Sequence, residues 1–135
     1  MARWLFKEEP GHYNFADLER DGKTRWEGVR NALALQHLRQ VRKGDRVFFY
    51  HTGKEKAVVG EMRVVKGPPG ESAGGQGVGV EVAPVRRLAR PVHLNEIKDD
   101  PLLRSWDLVR LPRLSVLPVT PEQWRRVEEL SRSGG

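Results

Sequence analysis

The stretch Trp26-Glu27-Gly28-Val29-Arg30-Asn31 decides how the rest of the chain is read. Asn31 is of a type that caps a helix, because its side-chain oxygen accepts from the unpaired amides of the first turn. From there to Arg42 the apolar residues Leu35, Leu38 and Val41, following Ala32 and Ala34, keep helical spacing, and Lys43-Gly44-Asp45 supplies the stop. Ahead of the cap, Gly28 lets the backbone approach a ligand and Trp26 offers a flat ring for stacking. The amides beyond Asn31 attract an anion or a carbonyl. Together these residues make a pocket for a planar base. Residue types alone favour a plainer arrangement, with Trp26 in the core, Asn31 only a cap and Arg30 a surface charge.

Outward from this stretch the pattern alternates between strands and short helices. Trp4-Leu5-Phe6 is rich in β-formers and ends at Pro10-Gly11, which predicts a first strand. Asn14 to Arg20 reads as a short helix capped by Asn14, with Phe15 and Leu18 as its apolar contacts, and Asp21-Gly22 turns the chain. Arg46 to Tyr50 and Ala57 to Val65 read as neighbouring strands. Between Lys66 and Gly77 lie five glycines and two prolines with scarcely an apolar side chain, a composition expected to form a mobile surface loop. Val78 to Val82 alternates as a further strand, and Leu111 to Val119 as a last one bounded by prolines. Val92 to Ile97 holds a short helical turn, and Leu102, Leu103, Trp106 and Leu108 cover the core. Thr120-Pro121-Glu122-Gln123 opens a C-terminal helix with a cap, a proline at its first position and a capping-box partner, before Trp124, Val127 and Leu130. No internal repeat is present. The expected fold is α+β, a mixed sheet or small distorted barrel with helices outside, in one domain over residues 1–135.

Composition narrows the chemistry. The formal charge of +6, from 24 Lys and Arg against 18 Asp and Glu, favours a polyanionic partner, and it is spread through the body with a local cluster at Arg30, Arg39, Arg42, Lys43 and Arg46. No apolar run approaches the roughly 20 residues that cross a bilayer, and the start is far short of a signal-peptide core, so a soluble cytoplasmic or nuclear protein with no membrane partner is expected. With no cysteine, thiol nucleophiles and sulfur-ligated zinc are excluded. His12, His37, His51 and His93 form no i, i+4 pair, which argues against a metal. Gly74-Gly75-Gln76-Gly77-Val78-Gly79 precedes a strand and does not open a helix, so it reads as linker and not as a phosphate loop. Ser115 lacks a nucleophile elbow, and Glu8 and Glu9 point to opposite faces of a strand, so neither a serine triad nor a carboxylate pair is indicated.

Taken in order, Trp4-Leu5-Phe6-Lys7 with Glu9-Pro10, Trp26 to Asn31, Gly44-Asp45, Tyr50-His51-Thr52, Val59-Gly60 and Arg113-Leu114-Ser115-Val116 resemble the EVE-domain family, from about residue 3 to residue 130. The resemblance implies a PUA-like pseudobarrel with a pocket for a modified base in DNA or RNA and no cofactor. Carried over residue by residue, it makes Trp26 the stacking ring, with Lys7, Arg30, Asn31, Tyr50, His51 and Thr52 around it. Two positions depart from the family pattern: Thr52 stands where a serine is usual, and Gly77-Val78-Gly79-Val80 where relatives often carry an aromatic. The expected activity is non-catalytic base reading by a chain favoured as a monomer. The alternatives are a small hydrolase using His51 with Glu9 as acid and base, and an accessory module of a nuclease.

Overall fold

The computed structural model describes residues 1–68 and 79–133. The chain order is β1 (Arg3–Glu8), α1 (Phe15–Asp21), β2 (Thr24–Trp26), α2 (Ala32–Leu38), β3 (Arg46–His51), β4 (Ala57–Lys66), β5 (Val80–His93), α3 (Leu94–Asp99), α4 (Asp107–Arg110), β6 (Val116–Pro118) and α5 (Pro121–Arg132). The six strands form one mixed sheet in the order β2-β5-β4-β3-β1-β6, in which β1 and β3 run parallel and every other pair is antiparallel.

The sheet curls on itself. β2 and β1 are four places apart in the sheet, yet Trp26 of β2 meets Phe6 of β1 with ring centroids 5.4 Å apart, and its edge meets Phe49 of β3 at 5.3 Å. This α+β half-barrel has a concave interior filled by Phe6, Phe49, Trp26, Val64 and Val82. α1 closes it with a fully buried Phe15 set edge-on to Phe49 at 5.6 Å. Successive strand residues face opposite sides, so Phe48 turns to the outer face, where Trp124 of α5 stacks on it at 3.6 Å and 9°. Glu61, fully buried on that face, accepts from Arg46 at 2.7 Å and Arg86 at 3.1 Å, and Arg86 also bonds Glu128 of α5.

Local signals explain the elements that the sequence made readable. Asn14 accepts from the Asp17 amide while Asp17 reaches back, and Thr120 and Gln123 do the same for α5. Gly44, at φ 93°, turns the chain so that the buried Asp45 carboxylate accepts from the Trp4 indole at 2.9 Å, the Arg42 amide at 2.9 Å and the Ala2 amide at 3.1 Å. The Gly44-Asp45 pair is thus a clasp between β1 and the turn into β3.

Several expected boundaries need correction. The helix expected from Asn31 to Arg42 ends at Leu38: the Gln40 amide turns back to His37 and the Val41 amide to Leu38, which delivers Val41 to the core outside the helix. β2 is only three residues long and was not foreseen. The strand expected at Val78–Val82 begins at Val80 and runs on to His93, its continuation hidden by Pro84, Pro91 and a run of arginines. The ladder accommodates Pro84 at a register shift opposite Met62. The last strand shrinks to Val116–Pro118, preceded by α4 and a turn. Of the expected loop, residues 69–77 lie outside the described residues, as does Val78.

Candidate base-binding segment and its surroundings

Trp26 ends β2 with its side chain turned inward, opposite Val80 in the ladder and held between Phe6 and Phe49. Only 6% of its surface is exposed. The ring is therefore rooted in the core and not displayed as an open platform, a correction to the flat stacking surface expected. After it the chain runs outside as Glu27 to Arg30, turned by Gly28 at φ 80°. A Cβ at Gly28 would meet nothing within 4 Å, so this glycine answers to backbone conformation and not to close approach. Arg30 is exposed and makes no ion pair among the described residues. Asn31 caps α2, its Oδ1 accepting from the Ala34 amide at 2.9 Å. That bond occupies a first-turn amide expected to attract an anion, and α2 spans just seven residues. Asn31 is itself exposed, and its side-chain amide hydrogens have no partner among the described residues.

The other residues expected around Trp26 divide into two further groups. Lys7 and Tyr50 are neighbours in the β1–β3 ladder, and the pleat turns them to the face opposite Phe6 and Phe49, away from the side that holds Trp26. The Lys7 ammonium lies 5.6 Å from the Tyr50 ring and donates to the Pro112 carbonyl at 2.9 Å. Burial pulls the lysine down from 10.5 to about 8 and pushes the tyrosine up from 10.0 to about 12.

His51 shares the inner face with Phe49, and both of its ring nitrogens are engaged. Nε2 accepts from the Phe15 amide at 3.2 Å, which leaves the proton on Nδ1 to be donated to Glu55 at 2.7 Å. Thr52 donates its hydroxyl to Glu9 at 3.2 Å. The imidazole therefore has no free nitrogen for a base. Glu9 is bonded to Thr52 and not to His51, so the acid–base pair of the hydrolase reading is not assembled.

The sequence reading also missed a basic groove of about 600 Å³ on the outer face of β4 and β5, lined by Lys23, Lys43, Arg63 and Lys66 with Gly22, Val65, Gly67, Glu81 and Ala83. Lys43 belonged to the expected cluster. Arg63 and Val65 alternate outward with the buried Val64, a period-two signal in the sequence, whereas Lys23 arrives from a turn some 40 residues away. Among the described residues no group of three or more His, Asp and Glu is placed to hold a metal ion, and no helix is long and apolar enough to cross a membrane.

Comparison with known proteins places this architecture. A family model described as the EVE domain matches residues 2–130. Thymocyte nuclear protein 1 of Rattus norvegicus is 30% identical over 157 residues, spanning 90% of this chain and 70% of the relative. The NMR structure of a Rhodopseudomonas palustris protein superimposes with a TM-score of 0.90 at 35% identity, covering 97% of this chain and 93% of the other. The crystal structure of human THYN1 in complex with DNA containing 5-methylcytosine superimposes with a TM-score of 0.91 at 26% identity, covering 100% of both chains. By its sequence over residues 2–130 and by its curled six-stranded sheet, the chain belongs to the EVE-domain family.

Proposed function

We propose that this chain is a non-catalytic nucleic-acid-binding module that recognises a modified nucleobase, with 5-methylcytosine in DNA the first candidate. One observation carries the reading: a half-barrel fold shared over its whole length with human THYN1, which was crystallised with DNA containing 5-methylcytosine. On that fold, the Trp26 to Asn31 segment supplies the groups a base needs. The indole forms a rigid back wall, and the exposed donors of Arg30 and Asn31 reach toward the hydrogen-bonding edge of the base.

Extruding a base costs a few kcal/mol and stacking on an aromatic returns about 1–3 kcal/mol, so the edge contacts and phosphate contacts must supply the remainder. Because the indole is 6% exposed, base entry requires a local rearrangement that uncovers the ring. Lys7, Tyr50, His51 and Thr52 then act as supports for the barrel and not as base contacts. The same reading takes the chain as a cytoplasmic monomer, with RNA as a second substrate to compare.

Calorimetry with matched DNA and RNA oligonucleotides, methylated and unmodified at one cytosine, tests the proposal. The Asn31→Ser variant keeps a capping oxygen and loses the amide donors, so it is expected to fold normally and lose most of the preference for the modified base. Equal affinity of the parent protein for modified and unmodified strands refutes base reading. Oligonucleotides recovered after incubation are expected at unchanged mass, and a product of altered mass refutes the non-catalytic assignment.

A further inference from the structure

We infer that the outer groove of β4 and β5 is a second contact surface for nucleic acid, a track for the phosphodiester backbone on the face of the sheet opposite Trp26. The inference rests on the nucleic-acid reading above but not on base discrimination. Four cationic side chains, Lys23, Lys43, Arg63 and Lys66, line one open concavity of about 600 Å³ and face a single carboxylate, Glu81. They come from four separate places in the chain: the turn after α1, the turn before β3, the outward side of β4 and its end.

None of the four makes an ion pair among the described residues, while Arg20, Arg25, Arg46, Arg86, Arg87, Arg90 and Arg126 are all paired with carboxylates. Gathering four like charges around a single carboxylate in one concavity raises the local potential and so attracts a polyanion. The walls between them are small: Gly22, Gly67 and Ala83 leave room for a chain lying along the surface. Charged tips around small, open walls suit successive phosphates, which are charged and regularly spaced, and offer no aromatic face or enclosed polar niche to a base.

The position also fits a strand that is engaged at Trp26. β2 is an edge strand, with Lys23 immediately before it and Trp26 at its end, facing opposite sides of the sheet edge. A strand that delivers a base to the inner side can pass around this edge and lie on the outer side.

The test is the salt dependence of binding to an unmodified DNA duplex. Each phosphate contact contributes about 0.9 to the slope of log affinity against log salt. A Lys23→Gln, Lys43→Gln, Lys66→Gln triple variant is therefore expected to lower the slope by about 2 to 3, with no change in melting temperature, since all three side chains are exposed. A control variant, Lys54→Gln, Lys56→Gln, Lys98→Gln, removes the same charge elsewhere and is expected to leave the slope nearly intact. Glu81→Gln is expected to tighten binding. An unchanged slope in the groove variant, an equal fall in the control, or no gain from Glu81→Gln overturns the inference. Binding of the free nucleoside 5-methyl-2′-deoxycytidine reports separately on the base pocket and is expected to be equal in all variants. Loss of base preference with the salt effect retained overturns base reading alone, and the converse overturns the groove alone.

Discussion

Single residues at the family's signature positions hold the barrel together. Asp45 accepts three hydrogen bonds in a buried site, from the Trp4 indole and the amides of Ala2 and Arg42. Asp45→Asn keeps the shape but turns one acceptor into a donor facing another donor, and a buried group so frustrated costs about 1–3 kcal/mol. A lowered denaturation midpoint with an unchanged denaturant slope is the expected outcome. Gly60 works through space and not through φ: a Cβ there would stand 2.4 Å from the ring of the fully buried Phe15. Gly60→Ala therefore forces α1 off the sheet, and overpacking of this kind costs about 1–3 kcal/mol. The companion change Phe15→Leu makes room and is expected to recover part of the loss in a double-mutant cycle. The Gly44-Asp45 and Val59-Gly60 pairs were legible as signatures, but their roles depend chiefly on Ala2, Trp4 and Phe15, all distant in sequence, which no local pattern encodes.

At the scale of the element, legibility followed the range of the interactions that fix each end. α1 and α5 were readable because their capping partners lie three residues apart. β5 was half-hidden because prolines and arginines break its alternation, and only its pairing with β4 makes it continuous. α2 was overextended because Val41 keeps helical spacing although the chain has already turned; the periodicity of its side chains survives the end of the helix. α5 also yields a prediction. Trp124 stacks on Phe48 while Arg3 and Arg46 lie 6.0 and 5.5 Å from its ring, and its buried indole N–H has no hydrogen-bond partner among the described residues. The ring provides packing and not hydrogen bonding. Trp124→Phe is expected to cost less than about 1.5 kcal/mol, against roughly 3–5 kcal/mol for Trp124→Ala, in chemical denaturation. Equal losses from both would show that the indole nitrogen matters.

For the whole molecule, the sheet is a partition, and this is what the sequence could not convey about the site. The sequence reading sets Lys7, Tyr50 and His51 around Trp26 in one pocket, but side-chain alternation sends Lys7 and Tyr50 to one face and Trp26 and His51 to the other. The outer pair has a consequence for global stability that can be measured against pH. Lys7 titrates at about 8 in the folded protein and at 10.5 when unburied, so between those values the unfolded chain binds more protons and stability rises with pH. Below pH 8 the buried charge is carried in full. Tyr50 acts in the opposite sense: folded at about 12 and unfolded at 10.0, it makes the folded chain the better proton binder in that window, so stability falls as pH climbs from 10 to 12. Tyr13, also raised, adds to the fall. The lysine gain is about 1–2 kcal/mol once screening at its partly exposed ammonium is allowed for. Denaturation curves from pH 7 to 11 are expected to show a maximum near pH 10. Lys7→Met should flatten the rise between 8 and 10 and leave the alkaline fall, whereas Tyr50→Phe should soften the fall and leave the rise; an unaltered rise in Lys7→Met would show that another group on the outer face carries it.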